Sequence, residues 1–343
     1  VRTSRLVAAV ATAALAVGIA GCSTPTAESD APAVGANPAS ADAFPVTIEH
    51  VYGETTIASK PERIATVAWS NHEVPLALGV VPVGMSKAAW GDDDNDGVLP
   101  WVEEKLEELG AETPVLFDET DGIDFEAVAD TAPDVILASY SGLTKEEYET
   151  LSKIAPVVAY PDIAWGTSVE DMITLNSTAI GLADEGAALI DELHAETEKA
   201  LTAHSALEGK KLLFSYLDPA DLSQVGYYTA ADTRPGFLHG IGLPFPKVVE
   251  DTIGNPEFYL MASAEQAQLF DDVDVFVTYG DESSVAALQA DPLLSKIPAI
   301  AAGRIAVLGD ATPLAASANP SPLSIPWGID EYFAVLEAPL LKK

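Results

Sequence analysis

One short segment of the chain occurs twice, and that repetition limits the folds open to it. Asp134-Val135-Ile136-Leu137 precedes Tyr140 and then Leu151-Ser152-Lys153-Ile154-Ala155-Pro156, while Asp274-Val275-Phe276-Val277 precedes Tyr279 and then Leu294-Ser295-Lys296-Ile297-Pro298. In each copy an apolar run of strand length leads through a loop into a helical pattern, so each reads as one unit of an α/β sheet. A chain carrying the unit in both halves predicts two related lobes.

Between the copies, from about Asp184 to Ser205, runs a Pro-free stretch in which Ala187, Leu189, Ile190, Leu193, Ala200 and Leu201 recur at helical spacing. Such a helix spans roughly 30 Å and reads either as a rigid spine between lobes or as a peripheral helix of one of them. The other segments keep the same alternation. Val46–Ile48 and Thr55–Ile57 flank a Gly53-Glu54 turn; Arg63–Ala68 and Val81–Met85 read as strands, with Ser70 and Glu73 as a capping box opening the helix between them. Phe125–Thr131 reads as a short helix, and Thr144 with Glu147 caps a helix leading to Pro156–Tyr160. The second half adds strands at Lys211–Tyr216, Val225–Tyr228 and Ile305–Leu308. The expected fold class is α/β: two Rossmann-like α/β lobes joined by a long rigid helix, with a ligand cleft between the lobes.

At the start of the chain, Arg2 and Arg5 precede an apolar run from Leu6 to Ala20 that closes on Gly21-Cys22. A charged start, a short apolar stretch and small residues before a cut mark a secretory signal, and the run is too short to favour a membrane span. Cys22 is the sole cysteine, and its position resembles the lipobox of bacterial lipoproteins, in which the thiol is acylated and begins the mature chain. Several acyl chains hold a soluble domain stably at a membrane; the alternative is a leftover thiol in a cleaved leader. Residues 1–21 are thus expected as signal peptide, 22–44 as a flexible tether, 45–167 as the first lobe, 168–206 as a connecting segment with the spine at about 184–205, and 207–343 as the second lobe. The expected location is the cell membrane, lipid-anchored and facing outside the cytoplasm.

With 17 basic against 53 acidic residues the net charge is −36, which excludes nucleic acid as a partner and disfavours membrane contact except through the lipid. The chain holds no Gly-x-Ser-x-Gly elbow, no phosphate-cradling loop and no His-Glu-x-x-His. Its histidines, His50, His72, His194, His204 and His239, are scattered, which supplies neither a Ser-His-acid set nor the ligands of a bare zinc carrier. No cofactor is required.

Aromatic residues fall just past the expected strand ends, where α/β sheets place their binding loops: Trp69, Trp90, Tyr140 and Trp165, then Tyr228 and Tyr279. Arg234 lies among them in a chain poor in cations. Aromatic walls with one cation suit a bulky, partly apolar, anionic ligand; core packing and a structural ion pair are the plain alternatives. Separately, Asp92-Asp93-Asp94-Asn95-Asp96-Gly97 followed by Glu103 satisfies a calcium-loop pattern, with ligands from Asp92, Asp94, Asp96, the Val98 carbonyl and both oxygens of Glu103, and a water in place of a Pro100 side chain. A solvated acidic loop is the competing reading.

Taken in order, Tyr52–Ile57 with Pro61–Ile64, Leu78–Gly84, Pro133–Ile136, Leu151–Val157 and Asn319–Ser324 resemble the iron-siderophore substrate-binding lipoproteins of ABC importers, over about residues 45 to 338. The resemblance implies a monomeric binding protein with no reaction of its own, which holds a ferric siderophore between its lobes and closes little because the spine is stiff. Iron enters only within the bound chelate. Delivery goes to a permease and its ATPase, docked through one acid on each lobe. The first-lobe docking acid falls on Glu73, which the capping box also claims. Its second-lobe counterpart falls on His239, a departure that leaves Glu250 or Asp251 as substitutes. Another chelate such as haem or a corrinoid, a siderophore-processing esterase and a calcium-stabilised adhesive lipoprotein are the alternatives.

Overall fold

The computed structural model describes residues 44–217 and 221–342. The expected leader, Cys22 and the tether up to residue 43 lie outside the described residues. No helix among the described residues is long and apolar enough to cross a membrane.

The chain opens on an antiparallel hairpin, β1 (Val46–His50) and β2 (Gly53–Ile57), in which buried Val46 and Ile48 alternate with exposed Thr47 and Glu49. An all-parallel sheet follows, ordered β5-β4-β3-β6-β7, from β3 (Ile64–Thr66), β4 (Gly84–Ser86), β5 (Val115–Phe117), β6 (Val135–Leu137) and β7 (Val157–Val158). Its central strands β3 and β6 are buried at every residue, as a parallel sheet covered on both faces requires. A second sheet, ordered β10-β9-β8-β11-β12, is built from β8 (Leu212–Tyr216), β9 (Gln224–Tyr228), β10 (Tyr259–Ser263), β11 (Val275–Gly280) and β12 (Ile305–Gly309).

The duplicated segment supplies β6 with β7 in one sheet and β11 with β12 in the other, each pair parallel with helix between its strands. The halves then diverge, because β9 and β10 run antiparallel to their neighbours. The link between β8 and β9 is too short for a helical crossover, so the chain turns back on itself.

The helix Val169–Ala179 and the 21-residue helix Ala183–Ala203 join the sheets. The longer helix packs on Val169–Ala179 and on the C-terminal helix Ser324–Leu341. Gly186 permits the first of these contacts, since a Cβ there would stand 2.1 Å from Ser177 Oγ. Leu193 and Ala200 of the spine share one buried cluster with Val74 and Tyr140 before it in the chain and Phe214, Val277 and Phe333 after it. Burying each large apolar side chain is worth about 1.5–3 kcal/mol, so this cluster ties the spine into packing that includes residues from both halves of the chain, with the helices Val169–Ala179 and Ser324–Leu341 directly against it.

Two local expectations need correction. Ser70 takes left-handed backbone (φ 60) and caps nothing; the helix Glu73–Ala77 starts after His72 without a side-chain cap. By contrast, Thr144 and Glu147 form the full reciprocal box. The strand expected over Val81–Met85 begins only at Gly84, because Pro82 has no N–H to give to a ladder.

Candidate functional site

Each first-lobe ring sits on a loop leaving the C-terminal end of a parallel strand: Trp69 after β3, Trp90 after β4, Tyr140 after β6 and Trp165 after β7. Asn71, fully buried and unnoticed in the sequence, braces two of these loops. Its Nδ2 donates to the carbonyls of Val67 at 2.9 Å and Tyr140 at 2.8 Å, and its Oδ1 accepts the Tyr140 N–H at 3.1 Å. Trp165 takes left-handed backbone (φ 60) and donates its N–H to the Ser141 carbonyl at 2.9 Å. Its indole lies over Gly142, where a Cβ would meet Nε1 at 2.2 Å, and faces Tyr140 edge-on at 5.5 Å.

Arg234 organises the second-lobe side. Its guanidinium carbon stands 4.5 Å from the Tyr228 ring centroid, Nε donates to Tyr279 Oη at 3.0 Å and Nη1 donates to Asp232 at 2.8 Å. Asp232 also caps the helix Thr233–Gly240 by accepting the Arg234 N–H at 2.9 Å. Burial holds the Asp232 carboxyl above its ordinary value, with Arg234 opposing. For the guanidinium, burial lowers but Asp232 and three tyrosines outweigh it, leaving the group raised and charged. Burial, opposed by Arg234, pushes the Tyr279 phenol up to about 12, so it faces Arg234 as a neutral acceptor.

The two sides meet. Asn319 Nδ2 donates to Tyr140 Oη at 3.0 Å, Thr233 Oγ1 lies 3.3 Å from the same oxygen, and Trp90 meets Tyr279 edge-on at 5.6 Å. All six predicted rings belong to one cluster, with Arg234 stacked within it. Tyr140 is buried, while Trp69, Trp90, Trp165, Tyr228, Tyr279 and Arg234 keep part of their surface exposed. That is the distribution of a lined seam rather than of a closed core. Thr233, Asp232 and Asn319 were missed in the sequence because none differs from an ordinary cap or loop residue there.

Two cavities adjoin the seam. One of about 290 Å³ opens beside Trp90 and is lined by Lys87, Asp118, Thr120 and Ala311. The larger, about 640 Å³, lies between the spine and the helix Thr233–Gly240; it shares Asp232 and Thr233 with the seam but is lined otherwise by groups such as Ile173, Leu193 and Phe237, with no Trp, Tyr, Lys or Arg. Its volume suits a small ligand, yet the rings and the cation gather at the seam, which is why the seam is the candidate site.

Glu73 requires a plain correction. A docking residue must be exposed, and Glu73 has no exposed surface. Its carboxylate accepts from Trp101 Nε1 at 2.9 Å, from the Leu323 N–H at 3.0 Å and from the Ser321 hydroxyl. Burial raises its pKa while these bonds work against the rise. Glu73 therefore clamps the C-terminal segment onto the first lobe. His239 is exposed and stacks on Phe245 with 4.1 Å between ring centroids, and Glu250 and Asp251 are exposed.

The acidic loop folds back on its own carboxylates. Asp92 accepts from the N–H groups of Asn95 at 2.8 Å and Gly97 at 2.7 Å, and Asp96 accepts from Val98 at 2.8 Å. Asp92, Asp94 and Asp96 each offer an oxygen within 4.8 Å of the others. Glu103, in the first turn of the helix Pro100–Leu109, has its carboxyl pushed up to about 7 by partial burial and then by Asp96, Asp94 and Asp93. Three of the five expected ligands thus converge, and Glu103 lies close enough for their charge to raise it.

Residues 64–312 match the family described as periplasmic binding protein. A curated relative, the probable siderophore-binding lipoprotein YfiY of Bacillus subtilis, is 25% identical over 246 residues, or 68% of this chain and 67% of that protein. The crystal structure of Streptococcus pneumoniae TIGR4 PiaA in complex with ferrichrome is 48% identical, with a TM-score of 0.82 over 85% of this chain and 98% of that one. A periplasmic solute-binding protein of Mycobacterium smegmatis is 27% identical, with a TM-score of 0.69 over 86% of this chain and 98% of that one.

Proposed function

The chain belongs to the periplasmic binding protein family, and we propose that it is the extracytoplasmic solute-binding component of an ABC importer, capturing a ferric siderophore at its seam and delivering it to a membrane permease. It is a binding protein and not an enzyme. The observation that carries the reading is the Arg234 hub: a cation stacked on Tyr228, bonded to Tyr279 and Asp232, and set opposite Trp90 and Tyr140. Flat rings pack against the apolar body of a chelate, and guanidinium and phenol groups hydrogen-bond to its oxygen ligands. The similar PiaA was crystallised with ferrichrome, and the curated relative is described as siderophore-binding.

The same hub narrows the ligand class. The Arg234 charge is balanced by Asp232 within the protein, and Tyr279 is neutral, so the seam offers little net charge to a polyanion. This revises the anionic ligand expected from Arg234 alone. A ferric hydroxamate, whose ligand charges balance the ferric ion, suits such a site better than a ferric catecholate, which stays strongly anionic and is also repelled by the acidic surface. Tryptophan fluorescence titrated with ferric hydroxamates, catecholates and carboxylates tests this: saturable quenching tightest for a hydroxamate is expected, and tightest binding of a catecholate would reverse the assignment.

Anchoring through acylated Cys22 and a single-copy binding unit belong to the same proposal. With Glu73 buried, docking passes to exposed acids, among which Glu250 and Asp251 lie nearest the family position at His239. The Asp92–Glu103 loop is proposed as a structural Ca²⁺ site, supported by its ligand spacing and by the crowding of carboxylates that a divalent ion relieves.

A further inference from the structure

The loop after β3 carries Trp69 between two residues in left-handed backbone, Ala68 (φ 61) and Ser70 (φ 60). L-residues avoid that conformation, and it persists where the surroundings hold it in place. The Trp69 indole does not hold it, since its Nε1 is buried without a hydrogen-bond partner. Asn71 holds the loop from within, its Nδ2 donating to the Val67 carbonyl at 2.9 Å and the Trp69 carbonyl at 3.3 Å, and a second hold comes from two strands away. Glu119, just past β5, accepts the Ala68 N–H at 2.9 Å and the Ser86 hydroxyl at 3.0 Å on the same carboxylate oxygen. Ser86 ends β4, and Trp90 follows it on the next loop. One carboxylate therefore links the ends of β3, β4 and β5 and braces both of the loops that present Trp69 and Trp90.

We propose that Glu119 is a positioning residue of the chelate site, whose ionised carboxylate sets the Trp69 and Trp90 loops so that protonation loosens the ring platform and weakens ligand binding in mildly acidic solution. The part of this concerning ligand rests on the siderophore reading above. An ionised carboxylate is the stronger acceptor for both donors, and a protonated one loses that charge assistance. Burial pushes the Glu119 carboxyl up to about 7, with the Ala68 and Ser86 bonds opposing the rise. Glu147, from the helix Lys145–Leu151, adds to the rise through space. His72, on the Trp69 loop, stays neutral because burial lowers it to about 4. Asp118 and Lys87, beside the strand ends, are exposed. Because the folded carboxyl titrates above its ordinary range, the braced form prevails above neutrality and is lost as the pH falls through about 7.

Two measurements test this. Fluorescence titration with ferrichrome, which carries no group titrating in this range, is expected to show wild-type affinity falling about tenfold between about pH 8 and about pH 6, the loss of roughly one charge-assisted hydrogen bond. Glu119→Gln, whose amide oxygen still accepts but does not titrate, is expected to bind with an affinity unchanged across that interval. Near-ultraviolet circular dichroism of the ligand-free protein is expected to show a tryptophan transition with a midpoint near 7 that Glu119→Gln abolishes. Equal pH slopes in wild type and Glu119→Gln, or a tryptophan transition that survives the substitution, would remove Glu119 from this role. Failure of wild type to bind ferrichrome or any other ferric siderophore, with the dichroism transition intact, would overturn the siderophore reading while leaving the positioning role standing.

Discussion

Replacing Arg234 with Ala is expected to cost far more stability than the atoms removed would suggest. The Asp232 side chain is 2% exposed and has Arg234 as its cationic partner. Deleting one member of a buried pair costs about 3–5 kcal/mol, because the surviving charge remains desolvated. The cap bond from the N–H of residue 234 survives the substitution, which places the expected loss near the lower end, about 3 kcal/mol. The loss must depend on pH, and in one direction. Burial already raises the Asp232 carboxyl, and removal of the guanidinium raises it further. A carboxyl that is higher in the folded than in the unfolded chain takes up protons on folding. The deficit is therefore full above the folded pKa and shrinks as the pH falls from there toward the ordinary aspartate value of about 4. Urea unfolding of wild type, Arg234→Ala and the double variant with Asp232→Asn, at about pH 7.5 and about pH 5, measures each part. The single variant should lose about 3 kcal/mol at the higher pH and visibly less at the lower, and Asp232→Asn should restore much of the loss. A deficit under about 1 kcal/mol, or one of equal size at both pH values, would mean that the pair is solvated and the hub is not built as described.

Further outcomes follow from the other sites. Glu73→Ala strands the Trp101, Ser321 and Leu323 donors and should cost about 2–4 kcal/mol in urea unfolding; a loss of transport with unchanged stability would return Glu73 to a docking role. Ca²⁺ at about a hundredfold its Kd should add ~2.7 kcal/mol, seen as a rise in Tm that Glu103→Gln abolishes, and a Tm indifferent to Ca²⁺ and chelator would make the loop a solvated one. Cys22→Ser should release the protein into the medium, and continued retention in the membrane fraction would contradict lipid anchoring.

Much of this arrangement could be read from the sequence where periodicity or an unusual residue carried it. The spine expected at about 184–205 is the helix Ala183–Ala203, and the duplicated segment does supply corresponding strands in the two sheets. Trp69, Trp90, Tyr140 and Trp165 were legible because they follow the ends of parallel strands, which gather their loops along one edge; of the others, Tyr228 closes the antiparallel β9, Arg234 lies in the helix after it and Tyr279 lies within β11. What escaped notice lacked such a signal. β5 is three residues long and begins with exposed Val115, so no alternation marks it. β10 is an edge strand with Met261 exposed, and the helix Ser324–Leu341 was hidden by Pro326, which its first turn tolerates, and by Pro339, which lies inside it near the end. Glu73 and Glu119 show the deeper limit: a carboxylate at a loop or helix start looks solvated in sequence, and only tertiary contacts reveal that its partners are Ser321 and Leu323 in one case and Ala68 and Ser86 in the other.

Iron itself can mark where the ligand sits. Crystals of the protein with a bound ferric siderophore, measured across the iron absorption edge, locate the metal independently of any side chain. A peak at the seam, bounded by Trp69, Trp90 and Trp165 on one side and by Tyr228, Arg234 and Tyr279 on the other, is the expected result. A peak in the cavity between the spine and the helix Thr233–Gly240, beside Ile173 and Phe237, would contradict it.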